Sequence, residues 1–343
     1  MKEEVKIINE NVRIEFPEAP AIAGLTFRHF RGEEDYQPMV AVINAAKQAD
    51  HVERADTVED MRSNYAHLVN CDPYRDVLIA EVDGQMVAYS RLHWFIDEWS
   101  KLRLYMSFGF IRPEWRHQGL GRAMLHYNQA ALRAIASQHP QDLERHFQSF
   151  AQDSEIENEA LLISDGYKPI RHGLSMVRPD LENIPDLPLP EGLEVRPVLP
   201  EHYRPIWDAD QEAFRDHWGY VQPTEDDYES WMAHRNFQPD LWQVAWSGDE
   251  VAGQVKTYID QEENKEYHRL RGYTEGISTR RPWRKRGLAH ALIARSLKLL
   301  KEKGMQEAAL GVDAENLSGA LHVYESMGFR QVKRQTIYIK KMD

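Results

Sequence analysis

The sequence predicts an α+β protein: two tandem copies of one fold, each a mixed, mostly antiparallel sheet with helices on both faces. Three observations predict it. The chain repeats itself at a nearly constant offset, the signature of a duplicated unit. LTFRHF at 25–30 lies over LEVRPV at 193–198, Tyr36-Gln37-Pro38 over Tyr203-Arg204-Pro205, and AEVDGQMVA at 80–88 over AWSGDEVAG at 245–253. FIRPEWRHQGLGRAM at 110–124 then lies over STRRPWRKRGLAHAL at 278–292. Second, 343 residues exceed the length at which a single core usually stops growing. Third, DLENIPDLPLPEG at 180–192 carries three prolines and no periodicity, the composition of a semi-rigid linker. The organisation is therefore 1–180, a first copy; 181–192, a linker; and 193–343, a second copy.

Within the second copy the elements follow in order. A short strand at 193–198 leads to helical stretches at 201–215 and 224–235. Trp242–Trp246 and Val251–Ile259 alternate around Ser247-Gly248-Asp249, the pattern of a hairpin. A strand at 268–279 runs into a helix in which Leu288, Leu292, Ile293, Leu297, Leu299 and Leu300 keep helical spacing. Lys301, Lys303 and Gly304 end that helix. A strand at 306–313, a helix at 316–327 and a final strand pair near 329–340 complete the copy, and the first copy reads alike.

Composition narrows the function. The 42 basic against 55 acidic residues, a net charge of −13, argue against nucleic acid, whose phosphates are held mainly by cations. No apolar run of membrane-spanning length and no signal-peptide core occurs, and the single cysteine, Cys71, fits a reducing compartment. A cytoplasmic monomer or homodimer without a membrane partner is expected. Fifteen histidines form no H-E-x-x-H and no zinc cluster, so no metal is expected.

Against that acidic background RRPWRKRGLAHAL, residues 280–292, gathers five Arg or Lys and one His around Gly287 at the mouth of a helix. A strand turning into a helix leaves backbone N–H groups unpaired at the positive end of the helix dipole. Such a terminus holds phosphate, with Gly287 permitting close approach and Arg284 and Arg286 adding charge-assisted contacts. The first copy reads Arg116-His117-Gln118-Gly119-Leu120-Gly121 at the same place. Arg-x-x-Gly-x-Gly/Ala between strand and helix resembles the acyl-coenzyme A signature of the GNAT acetyltransferases. ENLSGALHVYESMGF adds that family's later motif, with Asn316, Tyr324 and Gly328-Phe329. The resemblance covers both copies. It implies acetyl-coenzyme A as cosubstrate, held by Arg284, Lys285, Arg286, Gly287, Leu288, Ala289 and Asn316. Backbone N–H groups of Ile277, Ser278 and Thr279 would polarise the thioester carbonyl. In the first copy Arg116, His117, Gln118, Gly119, Leu120 and Gly121 would be the equivalent cofactor loop.

Moving an acyl group to an amine needs a base for the attacking ammonium and an acid for the departing thiolate. The resemblance places the acid at Tyr324; a phenol of pKa about 10 stays protonated at neutral pH and can donate to a thiolate whose acid form lies near 8.5. Glu275, in the otherwise core-bound strand RGYTEGIST, is the candidate base, because a carboxylate there needs a reason. At the repeat offset Glu275 lands on Ser107, and counting back from Gly166-Tyr167 puts Leu162 at the place of Tyr324 and Ser154 at that of Asn316. The first copy therefore reads as a degenerate acetyltransferase, and the second as the enzyme. Asp216, His217 and Trp218 are the candidate acceptor contacts, suited to a small cationic amine. Two rival readings remain at this level: an acyl-coenzyme A sensor without catalysis, and an enzyme acting on a protein N-terminus or lysine.

Overall fold

The computed structural model describes residues 14–16, 18–215, 217–316 and 319–343. The first half holds β1 (Leu25–His29), α1 (Tyr36–Ala49), α2 (Val58–Ala66), α3 (Pro73–Asp76), β2 (Val77–Val82), β3 (Gln85–Asp97), β4 (Leu102–Ile111), α4 (Leu120–Ala136), β5 (Glu144–Gln152), α5 (Ile156–Ser164) and β6 (Lys168–Arg178). The second holds β7 (Glu194–Val195), α6 (Tyr203–Phe214), α7 (Glu225–Ala233), β8 (Gln243–Ser247), β9 (Glu250–Tyr258), α8 (Gln261–Glu266), β10 (Arg271–Thr279), α9 (Leu288–Glu302), β11 (Glu307–Asp313), α10 (Ala320–Ser326) and β12 (Arg330–Lys341). The short α8, capped by the Asp260 side chain on the Glu263 N–H, is an element the periodicity does not reveal.

All strands join one 12-stranded sheet in the order β1-β2-β3-β4-β5-β12-β6-β11-β10-β9-β8-β7. Its ladders are antiparallel except β4–β5 and β10–β11. The centre of this order departs from the sequence expectation. No strand pair closes the second copy: residues 330–341 form one long strand, because nothing in the run supplies a turn and both its neighbours come from the other copy. β12 inserts between β5 and β6 of the first copy, while β6 pairs with β11 of the second. Each half lends its last strand to the other.

The cores follow the exchange rather than the chain. Leu174, Met176 and Leu181 pack with Leu292, Leu297, Leu310 and Phe329, whereas Tyr338 packs with Phe147, Leu162 and Tyr167. The proline-rich segment is laid onto the second half, its Ile184, Leu187 and Leu189 against that core and its Asp186 paired with Lys298 at 2.5 Å. Among the described residues no helix is long and apolar enough to cross a membrane.

Candidate functional site

Each parallel strand pair holds together only at its start. β10 and β11 are in register over Arg271–Tyr273 and Glu307–Ala309, after which they diverge. The wedge between them opens into a cleft of about 790 Å³, within the range of small-ligand sites. Glu275, Ile277, Ser278 and Thr279 line it from β10, Gly311 and Asp313 from β11, and Tyr324 from α10. The start of α9 brings Arg284, Lys285, Gly287, Leu288 and Ala289 to the same space, and Asn316 joins them.

The turn into α9 is built for close approach. Gly287 caps the helix at φ 83° and Lys285 sits at φ 59°, left-handed positions that leave the first helical N–H groups pointing outward. Arg284 braces the turn, its Nε donating to the Thr279 carbonyl at 2.9 Å and an Nη to Ala213 at 3.2 Å. Its acceptors are neutral carbonyls, so its charge is not offset there. The Thr279 hydroxyl is buried in the cleft with no hydrogen-bond partner among the described residues. Cationic side chains, a helix N-terminus and an orphaned hydroxyl along one wall fit a diphosphate-bearing thioester such as acetyl-coenzyme A. Arg286 turns away, its Nη donating to the Glu191 carbonyl at 3.1 Å.

Opposite the turn, β10 is bulged. Glu275 pairs with Lys256 and Ser278 with Gln254, so Gly276 and Ile277 are passed over by the ladder. Gly276 takes φ 55°, a left-handed backbone that favours glycine, and a Cβ there would displace the end of the Lys256 side chain, 2.1 Å away. The bulge aims Glu275 across the wedge, where the Gly311 N–H donates to its Oε1 at 2.7 Å. Desolvation outweighs that hydrogen bond and the Lys256 charge, raising the Glu275 pKa to about 7. Tyr324 is 7% exposed, with Phe329 edge-on to its ring at 6.5 Å. Burial, then the nearby Glu275 charge, push its phenol further above its ordinary range. Two proton carriers of opposite disposition thus face one cleft.

The expected acceptor residues separate. His217 lines the cleft together with Phe214, while Trp218 stands outside its lining and covers the Arg171 guanidinium at 5.3 Å. Arg171, from the exchanged β6, pairs with Asp313 and thereby ties Trp218 to the cleft rim. Asp216 lies outside the described residues. Sequence reading missed Lys256, Asp210, Gly276, Asp313 and Arg171. Asp210 left a readable signal: it shares the buried stripe Ile206, Ala209, Asp210, Ala213 of α6, a carboxylate on an apolar face.

In the first copy the turn has the same shape, with His117 at φ 58° and Gly119 at φ 84°, and a cleft of about 540 Å³ beside it. Its cations, however, are answered from within. Arg116 holds both oxygens of Asp50, at 2.6 and 2.8 Å, and Glu157 at 3.0 Å. His117 takes the other oxygen of Glu157 at 2.8 Å, and these two partners hold that carboxyl below its usual range. Gly121 also lines this cleft, whereas Gln118 bonds back to Glu114 and Leu120 is core. β4 runs without a bulge from Leu102 to Ile111. The ladder also corrects the repeat offset. Arg91 takes the place of Lys256, and its partner is Phe108, not Ser107, because the bulge adds one residue to β10. Leu162, at Tyr324's place, is 1% exposed and purely apolar.

The comparisons with known proteins accord with this geometry. The Acetyltransferase (GNAT) family profile matches residues 203–329, and a second, for the Acetyltransferase (GNAT) domain, matches residues 73–153. The N-alpha-acetyltransferase MAK3 of Arabidopsis thaliana is 36% identical over 22% of this chain and 39% of its own length. A mycothiol acetyltransferase of Catenulispora acidiphila is 26% identical over 66% of this chain and 70% of its own, and one of Streptomyces bingchenggensis 31% over 46% and 49%. Among solved structures, a GCN5-related N-acetyltransferase from Sphaerobacter thermophilus aligns over 93% of this chain and 96% of its own with a TM-score of 0.70 at 22% identity. A tandem GNAT protein of the clavulanic acid biosynthesis pathway aligns over 93% and 99%, with a TM-score of 0.66 at 14% identity. The duplicated wedge, its helix-mouth turns and these matches to both halves make the chain a member of the GNAT acetyltransferase family, an acyltransferase carrying two GNAT domains in tandem.

Proposed function

We propose that the second domain is an N-acetyltransferase that moves the acetyl group of acetyl-coenzyme A to a primary amine of a small molecule by direct attack. The observation that carries this reading is that Glu275 and Tyr324 face one cleft into which the helix mouth brings Arg284, whose partners among the described residues are backbone carbonyls. The turn at 284–289 would hold the diphosphate, with the pantetheine arm along β10. The bulge frees N–H groups near Ile277 to receive the thioester oxygen, where developing negative charge is best stabilised by preset donors. The acceptor ammonium gives a proton to Glu275, directly or through a water. Its nitrogen then forms the C–N bond. As the C–S bond breaks Tyr324 protonates the thiolate, the second proton that the nitrogen sheds to become the amide restores the Tyr324 phenol, and Glu275 returns its proton to solvent. The products are the amide and coenzyme A. A small acceptor is favoured because the mycothiol acetyltransferases align over up to 66% of this chain, against 22% for the plant N-alpha-acetyltransferase.

The first domain reads as closed to coenzyme A, since Asp50 and Glu157 occupy its cations as a phosphate would. Calorimetric titration is expected to give one coenzyme A per chain; two equivalent sites would refute the closure. Thiol release from acetyl-coenzyme A with polyamines, amino acids, aminoglycosides and short peptides tests the reaction. Release with a small amine supports the reading. Release only with peptides turns the assignment to a protein acceptor, and tight binding without release to any amine leaves a sensor. Tyr324→Phe should lower kcat about tenfold to a hundredfold, the low end for a general acid because a thiolate leaves fairly readily. Coenzyme A affinity should be kept, and unchanged kcat would remove Tyr324 from the mechanism.

A further inference from the structure

Directly across the ladder from Glu275 stands Lys256, and opposed residues of opposite charge on neighbouring strands ordinarily pair. Here they do not. The Lys256 ammonium is drawn the other way, to Asp210 Oδ2 at 2.5 Å, and lies 5.6 Å from the centre of the Trp231 ring. Asp210, on α6, is 6% exposed, and its second oxygen accepts from Gln254 Nε2 at 2.8 Å. The lysine stem passes beneath Gly276, at the point where the bulge turns Glu275 toward the cleft. Glu275 is left with the Gly311 N–H as its bonded partner.

We propose that Asp210 is a positioning residue for acyl transfer: by holding the Lys256 ammonium it keeps Glu275 without a cationic partner, free to take the proton of the acceptor amine. This rests on Glu275 being the base. The arrangement is costly to build, because a carboxylate and an ammonium are taken out of water at the base of the cleft. A simple Lys256–Glu275 pair would be cheaper and would leave Glu275 a weaker base, since an opposite charge favours the ionised carboxylate. The remaining titratable groups near Glu275 or lining its cleft include Tyr258 on β9, Tyr273 on β10, Asp313 on β11, Tyr324 on α10, His217 after α6 and His290 on α9. Burial raises Tyr258, Tyr273 and Tyr324, so they stay neutral through the relevant range. Asp313 is paired with Arg171. An imidazole can titrate in the same window, so each profile is repeated in His217→Gln and His290→Gln backgrounds.

The test is the pH profile of kcat/KM for the full chain. In Asp210→Asn the freed ammonium turns to Glu275, and the acid limb should move down by about 1 to 2 pH units. The double variant Asp210→Asn/Lys256→Met should bring the limb back toward its original position, which a merely structural role for Asp210 would not do. Asp210→Ser, which leaves room for a water, releases the ammonium equally and carries the test if the asparagine variant does not fold. An unmoved limb in a folded Asp210 variant overturns the proposal, as does a shift that the Lys256→Met change fails to reverse. The parent reading fails separately: it is lost if Glu275→Gln keeps the acid limb. If Glu275→Gln abolishes the limb while Asp210→Asn leaves it in place, only the role of Asp210 is lost.

Discussion

Replacing Glu275 by Gln is expected to lower kcat/KM for acetyl transfer by about 10² to 10⁴-fold, the usual contribution of a positioned base. The substitution isolates the proton. Glutamine keeps the side-chain oxygen that accepts the Gly311 N–H, so the bulge and the wedge should stay as they are. Coenzyme A affinity should hardly change, because Glu275 stands on β10 away from the turn at 284–289. The sign of the pH dependence follows from the raised pKa of about 7. A base works only when deprotonated, so the unmodified protein should lose rate as pH falls through 7, about tenfold per unit below it. The Gln variant should lack that limb. A variant retaining rate within a factor of about three, with the limb intact, would assign the base elsewhere.

The contrast between the two domains locates what matters in this chemistry. Both preserve the strand, the left-handed turn and the helix mouth. What separates them is a handful of side chains around that scaffold. Glu157 and Asp50 fill the cationic turn of the first, Phe108 stands where Glu275 does, and Leu162 replaces the phenol. Each change is apolar or self-neutralising, so the first turn's Arg116 and His117 are answered by carboxylates of the protein itself.

Much of this was legible in the residues. The turn at 284–289 announced itself because glycine and cations at a strand–helix boundary have one simple physical use, and the repeat made the same turn visible at 116–121. Glu275 was legible as a carboxylate in an apolar strand. The bulge was not, because a single extra residue leaves no mark on side-chain alternation until the partner strand is known; hence the offset pointed to Ser107 where the ladder gives Phe108. The sequence suggests Trp218 as an acceptor wall, yet its ring covers Arg171, a residue 47 positions earlier in the sequence, brought to the rim by the exchanged β6. The exchange itself was hidden for the same reason. Alternation in β6 and β12 reports which side chains are buried, not whose core receives them.

That exchange makes the second large prediction a test of the fold. Tyr338→Ala lies in the second half of the sequence but should destabilise the first domain, by about 3 to 5 kcal/mol as for other buried aromatics cut to alanine. Tyr338 is 1% exposed, packed with Phe147, Leu162 and Tyr167, and its hydroxyl donates to Glu159 at 2.5 Å. Removing the ring opens a cavity beneath α5 and also leaves the Glu159 carboxylate without this donor. β12 is hydrogen-bonded on both sides, to β5 and to β6, and β6 in turn carries β11 and the floor of the active wedge. Loosening β12 should therefore spread across the sheet. Urea unfolding is expected to remain one transition at a lower midpoint, and hydrogen exchange should rise first along β5 and α5. By the same topology, residues 193–343 expressed alone lack β6 and expose the edge of β11, so they should aggregate or fail to fold, whereas adding back 168–192 restores the missing strand. Independent folding of 193–343 with full coenzyme A binding would show that the exchanged strands are dispensable.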